Sequence, residues 1–106
     1  MADAAFVEVV VCHAIRGNEI TVHVPQRAKF RHVKKAVSRL LEPGDDLDFL
    51  ESGVLLHKTT GVYTAYKDDS QLNTVRRVLV CSSTVGEIGS AEIRLDEEEV
   101  SEEEEA

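Results

Sequence analysis

At 106 residues the chain has room for one domain with a modest single core. It contains no run of about 18 apolar residues, so no membrane-spanning helix is expected, and MADAAF has neither the basic nor the long apolar region of a secretory signal, which points to the cytoplasm or nucleus. The net charge of −8 is uneven: residues 1–85 hold 11 Lys and Arg against 10 Asp and Glu, a formal +1, whereas residues 86–106 hold 1 Arg against 10 acids, a formal −9.

Residues 6–15, FVEVVVCHAI, are β-branched and apolar apart from Glu8 and His13, the pattern of a strand in the middle of a sheet. Gly17 and Asn18 tolerate positive φ and suit a hairpin turn. In ITVHV, residues 20–24, Ile20, Val22 and Val24 alternate with Thr21 and His23, so this is a half-buried strand. Pro25 ends it, because proline has no N–H for the ladder. In residues 29–41, Phe30, Val33, Val37, Leu40 and Leu41 recur on one face of a 3.6-residue period, which predicts a helix. Its other side, with its approach, is basic: Arg27, Lys29, Arg31, Lys34, Lys35 and Arg39 are half of the chain's 12 basic residues. No Ser, Thr, Asp or Asn stands at its start as an N-cap, whereas Glu42-Pro43-Gly44 marks its end.

Residues 47–50, LDFL, read as a short strand with Leu47 and Phe49 on one face. A turn at Ser52-Gly53 precedes the apolar run Val54, Leu55 and Leu56. A second turn at Thr59-Thr60-Gly61 precedes a strand over 62–66, and a loop over 67–70 opens a helical turn near Gln71 and Leu72. Residues 75–82, VRRVLVCS, predict a last strong strand with Val78 and Val80 on one face and Arg77, Leu79 and Cys81 on the other. From about Gly86 the character changes. Between 96 and 105 eight of ten residues are acidic, a composition that buries too little apolar surface to offset chain entropy. The expected division is therefore a domain over 1–85 and a disordered acidic tail over 86–106.

This order predicts an α+β fold: a mixed sheet of four to five strands with one main helix packed on one face. A right-handed connection sets the last strand parallel beside the first. Over residues 5–83 the chain resembles ubiquitin and its relatives, through FVEVVV, the Gly17 turn, ITVHVP, the helix with Val33-Lys34 in its second turn, LDFLESGVLL and VRRVLVCS. The resemblance implies a ubiquitin-like β-grasp that serves as a non-catalytic protein–protein interaction module. Conjugated modifiers carry a diglycine after the last strand; here Ser82-Ser83-Thr84-Val85-Gly86-Glu87 stands there. A divergent modifier without a diglycine terminus is the alternative. Asp48 also stands where ubiquitin's binding strand presents an aliphatic side chain, so the usual ubiquitin receptors are not expected as partners.

With Val7, Val9 and Val11 facing the helix, Phe6, Val10, Cys12, Leu79 and Cys81 share the helix-free face of the sheet. An exposed apolar patch there is the expected site for a protein partner. The basic helix face, Lys29, Arg31, Lys34, Lys35 and Arg39, suggests phosphate contacts and a weak nucleic-acid binder as a further alternative. Aromatic residues are sparse and the flanking run is acidic, so the favoured reading is a solvated face; a sharper one is that residues 96–105 fold back and screen it. Glu92-Ile93-Arg94-Leu95, followed by acids, is similar to a small-modifier interaction motif, which works by strand addition to a sheet edge. No CxxC, HExxH, GxSxG or Gly-rich phosphate loop occurs. His13 and His23 fall on opposite faces of neighbouring strands, and His32 and His57 are scattered. No catalytic residue, metal or cofactor is expected. Cys12 and Cys81 fit reduced core or strand thiols better than a disulfide scaffold.

Overall fold

Alternating β-branched residues build the first two strands, β1 (Phe6–His13) and β2 (Glu19–Pro25), in the computed structural model, which describes residues 6–100. They pair antiparallel from Phe6 opposite Pro25 to Cys12 opposite Glu19. Gly17, at φ +79°, makes the reversal between them. Val9, Val11, Ile20, Val22 and Val24 all point to one side and are buried.

Onto that side packs the helix α1 (Phe30–Ser38), with Phe30, Val33 and Val37 buried against the strand valines. Burying each such side chain contributes about 1.5–3 kcal/mol. Leu40 and Leu41 follow in a turn beyond the helix and are half-buried on the same core. The missing N-cap is supplied from elsewhere. His32 Nδ1 accepts the Lys29 N–H at 2.9 Å. The N–H groups of Phe30 and Arg31 donate to the carbonyls of Ser70 and Asp68, each at 3.1 Å. Three donors that a helix start leaves orphaned are thereby satisfied.

Residues 47–50 are not a strand. They lie in a second helix, α2 (Asp45–Ser52), preceded by Gly44 at φ +97°. Asp45, Asp46 and Asp48 occupy its first turn, where carboxylates are favoured by the helix dipole. Leu47 is 68% exposed and Phe49 only 3%, so the two do not share a face as the alternation suggested. With the segment helical, Asp48 no longer corresponds to a position on a binding strand.

The strands β3 (Leu56–Thr59) and β4 (Val62–Ala65) form a hairpin whose turn residues, Thr60 and Gly61, have φ of +48° and +85°, as a two-residue turn of primed type requires. The strand β5 (Arg77–Val80), shorter than expected, lies parallel to β1, with Val10 opposite Arg77 and His13 opposite Val80. It also meets β3, with Leu56 opposite Leu79.

The expected disordered tail is corrected over its first part. The chain forms a short helix, α3 (Ser83–Ile88), then a strand, β6 (Ala91–Arg94), parallel to β2. Residues 97–100 make a further helical turn. Ala91, Ile93 and Leu95 turn toward the core and Leu95 and Val100 are fully buried. A sparse set of apolar residues at the right spacing outweighs the acidic composition. Residues 101–106 of that expected tail, and 1–5 of the expected domain, lie outside the described residues. The protein is thus α+β, and among the described residues the mixed sheet has six strands, in the order β4-β3-β5-β1-β2-β6, instead of four or five. Among the described residues no helix is long and apolar enough to cross a membrane.

Candidate functional site

The helix-free face follows directly from β1. Because Val9 and Val11 are buried, Phe6, Glu8, Val10 and Cys12 point the other way. Register then sets their neighbours. Cys12 lies opposite Leu79 on β5, and Leu79 lies opposite Leu56 on β3. Leu56, Leu79 and Cys12 therefore form a row across three adjacent strands, all half-buried, with Val10 next along β1. Four of the five expected patch residues, Phe6, Val10, Cys12 and Leu79, are half-buried on this face.

Cys81 is different. It is exposed, lies just beyond the end of β5, and lines a shallow cleft with Phe49, Gly53, Val54 and Leu56. Phe6 sits at the far end, with the Arg94 guanidinium 4.1 Å from its ring centroid. This is a cation–π contact. The face is also more polar than expected. Arg77 donates to Glu19 at 2.8 Å, beside Cys12, and this hydrogen bond and charge hold the Arg77 guanidinium further above its ordinary range. Glu92 and Arg94 of β6 border it on the other side, and no reading that left residues 86–106 disordered could find them. Their signal was the alternation Ala91, Ile93, Leu95 against Glu92 and Arg94.

The basic helix face is paired with acids from two other segments. Arg31 pairs with Asp69 at 3.0 Å and Lys34 with Asp68 at 3.3 Å, from the loop after β4. On the other flank Arg27 pairs with Glu97 at 2.7 Å, and Arg39 pairs with Glu99. Lys34 is only 3% exposed, Lys29 and Lys35 are half-buried, and Arg39 is exposed. Of the run 96–105 expected to screen this face, Glu97 and Glu99 make ion pairs with it, the loop acids Asp68 and Asp69 make others, and residues 101–105 lie outside the described residues. Lys35 stands in the last turn of α1, where the dipole favours a cation.

The stretch 92–95 does add as a strand to a sheet edge, but the edge is that of its own β2, and the Leu95 N–H donates to the His23 carbonyl at 2.8 Å. His13 has a structural role. Its Nδ1 accepts the N–H groups of Ile15 and Arg16 at 3.2 and 3.0 Å, which leaves the ring proton on Nε2 to donate to the Ser82 carbonyl at 3.0 Å. Both ring nitrogens are engaged with backbone groups, which holds the chain after β1 against the start of α3. Nearby, Asn18 Nδ2 donates to the Gly89 carbonyl at 3.0 Å. Together these bonds tie the β1–β2 turn to α3.

Comparison with protein-family models, with curated proteins and with solved structures finds no match to this chain.

Proposed function

We propose that the chain is a non-catalytic, ubiquitin-like interaction module of the β-grasp type that binds a protein partner through the helix-free face of its sheet. The strand order supports the β-grasp reading: β1 lies between antiparallel β2 and parallel β5, β3 follows beyond β5, and the main helix comes directly after the first hairpin. In this reading β6 is an addition at the β2 edge.

One observation carries the functional reading: the register that aligns Leu56, Leu79 and Cys12 across three strands. The row supplies apolar contact area that a partner desolvates, and the Glu19–Arg77 pair and Arg94 around it set partner choice and encounter rate. The path of the chain after β5 favours a module over a modifier. It runs straight into α3 and then pairs β6 with β2, so no free extension leaves the last expected strand. Nucleic acid is the weaker alternative, because Asp68, Asp69, Glu97 and Glu99 already engage the basic helix face. Free thiols at Cys12 and Cys81 favour a reducing compartment such as the cytoplasm or nucleus.

The test is a pull-down with wild type and Leu79→Asp, followed by NMR titration of the labelled chain with the protein recovered. The expected result is loss of a specific partner in Leu79→Asp at unchanged circular dichroism, with shifts centred on Val10, Cys12, Leu56 and Leu79. If every association survives the substitution, the face is inert and the reading fails.

A further inference from the structure

We propose that Glu8, His23 and Glu92 form a binding site for a zinc-type divalent cation on the outer face of the sheet. The three residues come from three adjacent strands. Glu8 lies directly opposite His23 in the β1–β2 register, and Glu92 reaches His23 diagonally from β6, where its own partner is Thr21. Directly opposed side chains on one sheet face have Cβ atoms about 4.5–5.5 Å apart, and diagonal neighbours are within reach of long side chains. The donor atoms here all lie within 4.8 Å of one another. His23 Nε2 and the Glu92 carboxylate are 2.5 Å apart.

The donor set indicates the kind of ion. One imidazole nitrogen and two carboxylates suit a borderline cation such as zinc, whose bonds to them are about 2.0–2.2 Å long. Calcium takes about six to eight oxygens, more than this trio offers. Tetrahedral bonds of that length set ligand atoms roughly 3.4 Å apart. Glu8 must therefore close in and Glu92 draw back, which exposed glutamates accommodate by side-chain rotation. The backbone that carries them is fixed by sheet hydrogen bonding. The fourth position faces solvent and would hold water.

Charge permits the site. Two carboxylates with a neutral imidazole balance a divalent ion. The nearest cation on this face, Arg94, is engaged over the Phe6 ring and with Asp96 at 3.3 Å. A bound ion would bridge β1, β2 and β6, and so lock the C-terminal strand to the opening hairpin. An ion that binds only the folded chain raises its stability with concentration. Protons compete for the same ligands, so affinity falls in acid.

The experiment is calorimetric titration of the full chain with zinc alone, repeated for His23→Ala, Glu8→Gln, Glu92→Gln and, as a control, His57→Ala. Expected is one ion per chain, with each site variant weaker by about tenfold or more, the scale on which losing even an outer partner of a metal ligand is felt. His57→Ala should bind as wild type. Cobalt should report four-coordination by its visible absorption, lost in His23→Ala. A zinc-dependent rise in melting temperature that disappears in the Gln variants, which keep the shape of the side chain, separates ligation from folding. Absence of stoichiometric zinc binding, or binding that survives His23→Ala unchanged, overturns the proposal.

Discussion

Glu97 accepts from both Nε and Nη2 of Arg27, at 3.0 and 2.7 Å, so the acidic segment after β6 is held against the approach to α1. Arg39, just beyond the end of α1, pairs with Glu99 of the same segment. Between them these two pairs engage Arg27 and Arg39, two of the six basic residues that a polyanion could contact.

Replacing both acids, Glu97→Gln with Glu99→Gln, should therefore strengthen binding to heparin or single-stranded nucleic acid. Each released cation able to neutralise a phosphate adds about 0.7–0.9 to the slope of log affinity against log salt. The slope for single-stranded DNA should steepen by about 1.4 for the double variant, measured by fluorescence anisotropy at several salt concentrations. An unchanged slope would mean that these pairs screen nothing.

Leu95 separates a folded terminus from a loose one. It is fully buried after β6 and its N–H bonds to His23. Leu95→Ala should cost about 2–5 kcal/mol, as for other buried leucines. In a disordered tail the same change would stay within about 0.5 kcal/mol. Urea unfolding measures the difference, and slow hydrogen exchange at the Leu95 amide is the companion observation.

His13 and Gly86 form a coupled pair. A Cβ at residue 86 would sit 2.8 Å from His13 Nε2. Gly86→Ala should destabilise by about 1–3 kcal/mol through overpacking. His13→Ala should cost at least about 2 kcal/mol, because it leaves the N–H groups of Ile15 and Arg16 and the Ser82 carbonyl without this partner. The double variant should lose less than the two losses added, since removing the ring makes room for the methyl. A double-mutant cycle by chemical denaturation reads this coupling.

Lys34 and Asp68 are unequal partners, one buried and the other half in water. Removing the carboxylate, Asp68→Ala, strands the ammonium and should cost about 1–3 kcal/mol. Lys34→Met keeps the packing without the charge and should be close to neutral or mildly stabilising. Thermal melts of the two variants check the asymmetry.

Tyr66 stacks on Phe30 with ring centroids 4.2 Å apart, and burial raises its pKa above 10.0. The folded state thus holds the phenol proton more tightly than the unfolded chain does. The resulting stability is fully present below pH 10.0 and is lost as pH rises through the folded value. Tyr66→Phe keeps the stack and removes this dependence. Stability measured from neutral pH upward should fall less steeply for the variant than for wild type.

Residues 47–50 and 91–95 show where local pattern misleads. LDFL alternates like a strand, yet the carboxylates of Asp45, Asp46 and Asp48 behind Gly44 favour a helix start, and only Phe49 needs burial. AEIRL alternates too, but its acidic surroundings hid the signal. Whether such a segment is ordered depends on a receiving edge, here that of β2, which is distant in sequence. The helix-free face was legible because side-chain direction alternates along β1 and burial of Val9 and Val11 sets its sign. Its polar border was not legible, because β6 supplies Glu92 and Arg94.

Local periodicity was enough to read the β1–β2 hairpin, the apolar stripe of α1, and the alternation that sets Phe6, Val10 and Cys12 on one face. Which charges meet became visible only in the closed fold. Periodicity records how a segment faces a core, but not which acids a returning loop or terminal strand brings to Arg27, Lys34 and Arg39. Those pairings depend on chain segments far apart in sequence, and only the closed fold brings them within hydrogen-bonding distance.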